Sequence, residues 1–215
     1  MTLKVWGRRS SANVQKVMWL VGELQLAHEH VPAGGPYGVV NEPRFRAMNP
    51  NGLVPVIEDD GLVMWESNAI LRYLAARYGR DAFWSDDPRR RAHIDQWTEW
   101  AGTTLQPDMI GLFVNHWRTP ENQRNPNVIR NFQQRAERDL RLLDAELLRR
   151  PYIAGDAFTI ADIASGVHLY RYYTMGTEFP KLPNVEAWYG RLTDRPPYRE
   201  HVMISYEELR GRLTF

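Results

Sequence analysis

Cysteine is absent from the 215 residues of the sequence. This absence excludes disulfide bonds, thiolate metal sites and a cysteine nucleophile, so any sulfur chemistry must use the sulfur of a ligand. An excess of charge of one sign is also nearly absent, since 27 basic and 26 acidic residues give a formal net charge of only +1. Such a chain has no global field that attracts nucleic acid or an acidic membrane. We expect neither as a partner.

Long apolar runs are missing as well. The N-terminal MTLKVWGRR has too few apolar residues for a signal peptide, and no stretch approaches a membrane span, so a cytoplasmic location is expected. Of the six histidines, only His28 and His30 share a face of a predicted strand. No carboxylate ligand accompanies them, so no metal site is expected. Motifs of serine hydrolases and P-loop proteins are absent too.

The first 79 residues contain alternating strand and helix patterns. LKVWG at 3–7 and LAHEHV at 26–31 are strand-like, and a helical apolar spacing lies between them. After a polar loop, DDG at 59–61 separates two apolar runs and predicts a hairpin. A helix should follow from about Ser67 to Tyr78. The order β-α-β, then β-β-α, predicts a parallel strand pair extended by a hairpin, as in a small thioredoxin-like α/β domain.

Beyond this point the strand patterns largely vanish. RDAFWSDDP is polar and turn-like, and four helix-compatible segments follow, separated by proline or glycine. They cover about 89–117, 127–150, 160–175 and 185–193. We therefore predict a thioredoxin-like domain at 1–79, a linker at 80–87 and an all-α helical domain at 88–215.

The sharpest local signal in the helical region is FTIADIA at 158–164. Thr159 can cap the N–H of Asp162 while the Asp162 carboxylate reaches back to Thr159, and Phe158 can pack on Ile163. This pattern predicts the start of a buried helix. We assign it to folding and not to chemistry.

Two features in NPNGLVPVIEDDGLVMWESNAI do not suit an ordinary sheet. Pro55 interrupts a β-branched run, where a central strand needs its backbone N–H groups. If the Val54-Pro55 bond is cis, the Val54 backbone groups point outward and an extended peptide can pair with them. Glu66 and Ser67 lie at the predicted start of the next helix, where a carboxylate is favoured. A ligand with a peptide bond at one end and an α-amino acid at the other, such as γ-glutamyl-cysteinyl-glycine, would suit both.

At these residues the sequence resembles the cytosolic glutathione transferases. The resemblance depends on VP before a strand, the corner ESNAILRYLA and the later FTIADIA, which together span both predicted domains. It implies a glutathione-binding thioredoxin-like domain, a helical domain that supplies much of a hydrophobic substrate pocket, and a two-fold homodimer. By the same resemblance, Glu66 and Ser67 bind the γ-glutamyl end, Val54 pairs with the cysteinyl backbone, and Pro55 is the cis proline.

The group that activates the thiol differs among classes of this family. Some classes use a tyrosine near the end of the first strand, but the aromatic residue here is Trp6, which has no hydroxyl. RRSSANVQKV is more similar to the serine-type and bacterial Nu-like classes, in which a Ser or Thr and an Asn two residues later face the sulfur. This similarity implies Ser11 and Asn13 as the catalytic pair, with Ser10 as the fallback. A plain helix N-cap role for Ser11 stays open.

The remaining contacts are less defined. Asn51 is expected to shape the loop that leads into Pro55, with Gly52 beside it. Where related classes often carry Gln, His or Lys for the glycine carboxylate, this chain offers Asn41, with Arg44 as an alternative. Met109, Phe113 and Trp117 recur every four residues, a spacing that is typical of the core and also compatible with a substrate pocket.

Three functions are compatible with these predictions. The first is transfer of glutathione, as co-substrate and without a metal, to small hydrophobic electrophiles. The second is glutathione-dependent reduction of disulfides or peroxides by the same thiolate. The third is a non-enzymatic binding or regulatory module with a transferase-like fold.

Overall fold

A computed structural model describes residues 2–79 and 81–213. Met1, Arg80, Thr214 and Phe215 lie outside the described residues, and with them the outer ends of both predicted domains and the first residue of the predicted linker. The described chain contains a four-stranded sheet near its N-terminus, and helices make up most of the remainder. An α/β thioredoxin-like part followed by an all-α part is therefore confirmed.

The sheet has the strand order β2-β1-β3-β4. Strand β1 (Leu3–Trp6) runs parallel to β2 (His28–Val31) and antiparallel to β3 (Val56–Asp59), which pairs with β4 (Leu62–Trp65). The predicted parallel pair and closing hairpin are thus both present. Asp60 at φ 50° and Gly61 at φ 85° form the hairpin turn, as a two-residue connection with two positive φ angles requires.

Three helices flank the sheet. Helix α1 (Ala12–Glu23) connects the parallel strands, and α3 (Ser67–Tyr78) follows the hairpin with the predicted bounds. The polar connection between β2 and β3, predicted as a loop, contains helix α2 (Pro43–Met48). Pro43 occupies the first helical turn, where its missing N–H costs nothing, and Phe45 is fully buried. The buried ring of Phe45 packs this helix against the rest of the protein. Helix α2 was not predicted because six residues are too few to show a periodic apolar pattern.

Seven helices make up the C-terminal part of the described chain. Their bounds are α4 (Pro88–Trp100), α5 (Gln106–Phe113), α6 (Pro126–Leu147), α7 (Ile160–Gly166), α8 (Leu169–Thr174), α9 (Pro183–Thr193) and α10 (Pro196–His201). The segment predicted as one helix over 160–175 is two, because the chain turns at Val167 and His168. Helix α10 was not predicted.

Helices α4 and α5 belong to one helical rod that ends at Arg118. Its two wider turns are π-helical, at Ala101–Leu105 and Val114–Arg118. The first of these turns ends two residues before Pro107, which cannot donate to a carbonyl in the preceding turn. Local widening accommodates a proline inside a long helix, so the prediction of one helix across this region holds.

The capping box predicted at the start of α7 is present. The backbone N–H of Thr159 donates to Asp162 Oδ2 at 2.9 Å, and Thr159 Oγ1 accepts from the N–H of Ala161 at 3.3 Å. Asp162 Oδ1 also accepts from the Ile153 N–H and from Trp188 Nε1, each at 3.0 Å. The Asp162 carboxylate therefore joins three segments of the helical domain, and burial raises its pKa to about 6.

The two parts of the chain share one hydrophobic core. Trp19 of α1 is fully buried, and its ring lies 4.6 Å from the ring of Tyr198 and 5.5 Å from that of Phe158. Arg195 forms a bidentate ion pair with Glu23, with both N–O distances at 2.7 Å. The C-terminal half of helix α1 therefore packs against the helical domain.

Candidate functional site

The start of α1 lies next to the end of β1, and a glycine makes the turn between them. Gly7 has φ +153°, and a Cβ atom there would lie 2.3 Å from Cγ2 of Val14. Ser11 occupies the N-cap position with extended backbone angles, yet its hydroxyl accepts no capping hydrogen bond from the helix. The N-cap role that the sequence left open for the side chain is therefore not used in this structure.

Asn13 and the corner before α3 are in direct contact. The Ser67 hydroxyl donates to Oδ1 of Asn13 at 3.3 Å. Ser67 is buried, while the neighbouring Glu66 is exposed and has φ +71°. A positive φ at a residue with a Cβ costs roughly 1 kcal/mol or more and tends to occur at functional corners. Two of the polar groups predicted from separate motifs are thus adjacent.

The Val54-Pro55 peptide bond is cis, as predicted. Pro55 is buried and Val54 is partly exposed. Within the described chain, neither the N–H nor the C=O of Val54 forms a hydrogen bond. These two groups precede β3 and are open to pairing with an extended peptide.

A cleft of about 260 Å³ lies between the start of α1 and the segment that contains Val54. Ser11, Asn13 and Val54 lie on its wall together with Ser10, the fallback residue. Further lining comes from the helical domain and from the C-terminal segment, through Ile110, Phe113, Val114 and Leu209. Both parts of the chain therefore build the same concave site.

Five of the predicted residues do not line the cleft. Pro55, Glu66 and Ser67 adjoin its wall through Val54 and Asn13, whereas Asn51 and Asn41 lie farther away. Asn51 is exposed, and its backbone N–H and side-chain amide both donate to Oδ1 of Asn49. The Asn41 side chain is exposed and accepts from Arg46 at 2.9 Å. Neither is among the described residues that line the cleft. The alternative Arg44 holds its guanidinium 5.8 Å from the ring of Trp6.

The three aromatic and sulfur-containing residues at four-residue spacing are all buried, and they separate in role. Phe113 lines the cleft, whereas Met109 and Trp117 do not. Trp117 instead packs 4.9 Å from the ring of Tyr206. All three residues are therefore part of the core, and Phe113 also lines the cleft. Its contact with a substrate stays a prediction.

Three arginines in the cleft were not singled out from the sequence. Arg8, Arg118 and Arg171 come from the β1-α1 turn, the end of the α5 rod and α8. Arg171 donates to the Ser10 carbonyl at 2.7 Å, and its guanidinium lies 4.8 Å from the ring of Phe113. Burial, together with repulsion from Arg8 and Arg118, lowers the pKa of Arg171 to about 10.

A buried lysine lies behind the corner. Lys16, in the second turn of α1, donates to Gln106 Oε1 at 2.5 Å and to Asn68 Oδ1 at 3.3 Å. Burial lowers the pKa of Lys16 to about 7, although the Glu66 charge acts in the opposite direction. The sequence alone does not show that Lys16 is buried, because its hydrogen-bond partners are 52 and 90 positions away. The helical spacing of α1 places it on the buried face, and this is the signal that could have identified it.

Metal-binding clusters and membrane spans are not found among residues 2–79 and 81–213. No group of three or more histidine, aspartate or glutamate residues in these ranges is arranged to hold a metal ion. None of the described helices is long and apolar enough to cross a membrane.

Comparison with known proteins identifies the family. The model of the glutathione S-transferase N-terminal domain matches residues 6–82, and the model of the C-terminal domain matches residues 126–191. Glutathione S-transferase GstB of Escherichia coli is 41% identical over 204 residues, covering 94% of this chain and 98% of the relative. The chain belongs to the glutathione S-transferase family.

Other members of the glutathione S-transferase family agree in sequence and fold. Glutathione S-transferase F13 of Arabidopsis thaliana is 30% identical, covering 92% of this chain and 94% of its own length. A glutathione-bound crystal structure of the theta class enzyme from Xanthomonas axonopodis pv. citri superposes with a TM-score of 0.91 at 40% identity, covering 95% of this chain and 98% of that one. These relatives confirm two predictions from the sequence. The protein is an enzyme of the transferase class, and glutathione is its co-substrate.

Proposed function

We propose that this transferase binds glutathione along the cleft, stabilises its thiolate beside Ser11 and Asn13, and adds the sulfur to small hydrophobic electrophiles. The observation that carries the proposal is the cleft itself, where the Ser11 hydroxyl, Asn13 and the unpaired Val54 backbone share one wall. Residues 1–79 would supply the glutathione site and residues 88–215 much of the acceptor pocket, with 80–87 as linker.

Each end of glutathione has a partner in this proposal. The γ-glutamyl carboxylate would bind Ser67 and the N–H groups at the start of α3, and Glu66 would bind the amine. The cysteinyl peptide group would pair with the N–H and C=O of Val54 beside Pro55. Asn41 or Arg44 would approach the glycine carboxylate.

The thiol chemistry is undemanding. A free thiol has a pKa of about 8.5, and each unit of depression is worth about 1.4 kcal/mol. Hydrogen bonds donated by the Ser11 hydroxyl and the Asn13 amide, at a helix N-terminus, can supply roughly 3 kcal/mol and thus about two units. Since both groups donate to the sulfur, they stabilise the anion and the proton leaves to solvent.

The volume of the cleft favours a small acceptor. Ligand pockets for drug-sized molecules are typically about 300–1,000 Å³, and this cleft of about 260 Å³ must also receive the thiol end of glutathione. This argues for conjugation of a compact electrophile over reduction of a disulfide that carries a second tripeptide.

A homodimer is part of the same proposal. Strand β4 is an edge strand, and Leu62, Val63 and Trp65 on it are each about 40% exposed. Exposed apolar side chains on a sheet edge are normally covered by another part of the protein or by a partner, here a second copy of the chain.

We also propose a cytoplasmic location.

The test is an ultraviolet titration of bound glutathione across pH, with Ser11→Ala and Asn13→Ala in parallel and Ser10→Ala as the comparison. Because the chain contains no cysteine, no thiolate of the protein contributes to the signal, and a titration without glutathione subtracts the absorbance of the tyrosines. We expect ionisation well below the free pKa of about 8.5 and a rise of about one unit in the first two variants. An unshifted bound thiol would refute thiolate stabilisation by this site.

A further inference from the structure

We infer that the electrophile accepted beside the thiol carries an anionic group, such as a carboxylate, which Arg8, Arg118 and Arg171 recognise. The inference rests on the proposed function and specifies its second substrate as a small molecule with an apolar body and one negative charge.

The first argument is the concentration of positive charge in a small site. Guanidinium groups from three distant parts of the chain line one cleft of about 260 Å³. Like charges brought together repel one another by amounts that grow as water is excluded. Glu208 attracts the Arg8 guanidinium, and an anionic ligand in the cleft would be attracted by all three guanidinium groups at once. Arginine is also the side chain best suited to bind a carboxylate through two parallel hydrogen bonds.

The second argument is that the protein holds these groups in place. Arg171 donates to the Ser10 carbonyl, and its guanidinium lies over the rings of Phe113 and Tyr206 at 4.8 and 5.7 Å. Arg118 donates from Nε and Nη2 to the carbonyls of residues 212 and 213, at 2.7 and 3.0 Å. A guanidinium with a fixed orientation loses little entropy when it binds a planar anion.

The third argument is desolvation. Burial lowers the pKa of all three arginines, and mutual repulsion adds to the effect for Arg8 and Arg171. Cations that have lost part of their hydration gain more from an incoming anion than solvated ones do. The apolar residues of the same wall, Leu53, Ile110, Phe113, Val114 and Leu209, would contact the body of the molecule.

A matched pair of substrates tests the inference directly. 4-Chloro-3,5-dinitrobenzoate and its primary amide share the ring and the leaving group and differ in charge. In both, the glutathione thiolate attacks the carbon that bears chlorine, a C–S bond forms, the C–Cl bond breaks and chloride leaves with the bonding pair. The thiol proton is released to solvent. Each kcat/KM is divided by the rate constant for free glutathione thiolate with the same compound.

The normalised preference of the wild-type enzyme for the benzoate over the amide should be about tenfold or more, the value of one charge-assisted hydrogen bond. Arg8→Gln and Arg118→Gln should each lower this ratio by about tenfold. Arg9→Gln is the control for loss of one charge, since Arg9 is exposed, lies outside the cleft and donates to the Glu200 carbonyl. Its ratio should equal that of the wild type.

Three results would overturn the inference. A wild-type preference for the amide would do so without any variant. Equal losses for both compounds in Arg8→Gln and Arg118→Gln, accompanied by a raised pKa of bound glutathione thiol, would assign the arginines to the thiolate. A ratio that falls equally in Arg9→Gln would indicate only the overall charge of the protein. Failure of the wild type to transfer glutathione to either compound would instead refute the proposed function.

Discussion

Helices α1 and α7 begin with the same kind of residue and use it in opposite ways. At α7, Thr159 and Asp162 form a complete capping box, and Asp162 additionally holds Ile153 and Trp188. At α1, Ser11 stands at the N-cap with a hydroxyl that caps nothing and faces a cleft. The polar groups at the start of α7 therefore stabilise the fold, whereas the Ser11 hydroxyl makes no hydrogen bond to its helix and is the group that we propose faces the ligand.

Two buried ionisable groups near these helix starts also differ from each other. Burial shifts the pKa of Asp162 up to about 6 and that of Lys16 down to about 7. Asp162 accepts hydrogen bonds from three segments, while Lys16 donates to two side chains near the corner at Glu66. Four substitutions test whether folding and ligand binding are divided in this way.

The largest effect is expected from Asp162→Ala. It would leave the N–H groups of Ile153 and Thr159 and Nε1 of Trp188 without their acceptor, at a cost of roughly 4 kcal/mol in the free energy of unfolding. Urea denaturation followed by circular dichroism measures this loss. The exposed Asp156→Ala is the matched control, and equal stability of the two variants would contradict the role given to Asp162.

Lys16→Met should change how stability depends on pH. The folded pKa of about 7 lies below the unfolded value of 10.5, so the unfolded state binds more protons between these values. Wild-type stability should therefore rise with pH in that window, by about 2 kcal/mol relative to the variant between pH 7 and 9. Denaturation at both pH values tests this, with the exposed Lys181→Met as control. Parallel profiles for the wild type and Lys16→Met would show that Lys16 is not desolvated.

Thr159→Ala removes the hydroxyl that caps α7. A loss of about 1 kcal/mol is expected, measured as a shift of the denaturation midpoint, and Thr159→Ser should restore most of it. The pKa of bound glutathione thiol should not change. A change in that pKa would mean that the start of α7 influences the cleft.

The smallest effect on stability is expected from Ser11→Ala. Since no capping hydrogen bond is lost, the free energy of unfolding should change by less than about 0.5 kcal/mol. The same denaturation series provides the measurement. A loss as large as that of Thr159→Ala would show that Ser11 caps its helix in solution.

Much of the fold was predictable because its signals are local. The DDG turn, the bounds of α3 and the capping box of α7 each depend on residues within a few positions of one another. Helices α2 and α10 have only six residues each, too few for a periodic pattern. The break between α7 and α8 lies inside an apolar stretch whose residues suit a helix, so only packing decides where the chain turns.

In the candidate site, too, the residues in short motifs could be predicted and those brought together by packing could not. Glu66, Ser67 and the cis Val54-Pro55 bond follow from short motifs. The arginines at 8, 118 and 171 are far apart in sequence, and a charged residue by itself suggests only a solvated surface. Their convergence depends on how α8 and the end of the α5 rod pack against α1, which no local pattern encodes.

The Ser11 hydroxyl, which makes no capping hydrogen bond, also bears on how related enzymes diverge. A side chain that contributes nothing to helix formation can be exchanged for another without lowering the amount of folded protein in the cell. In the proposed site this residue lies beside the sulfur of glutathione, so new reactivity could arise there by single substitutions. At position 162, by contrast, a substitution would lower the amount of folded protein, so a variant with new chemistry would not accumulate.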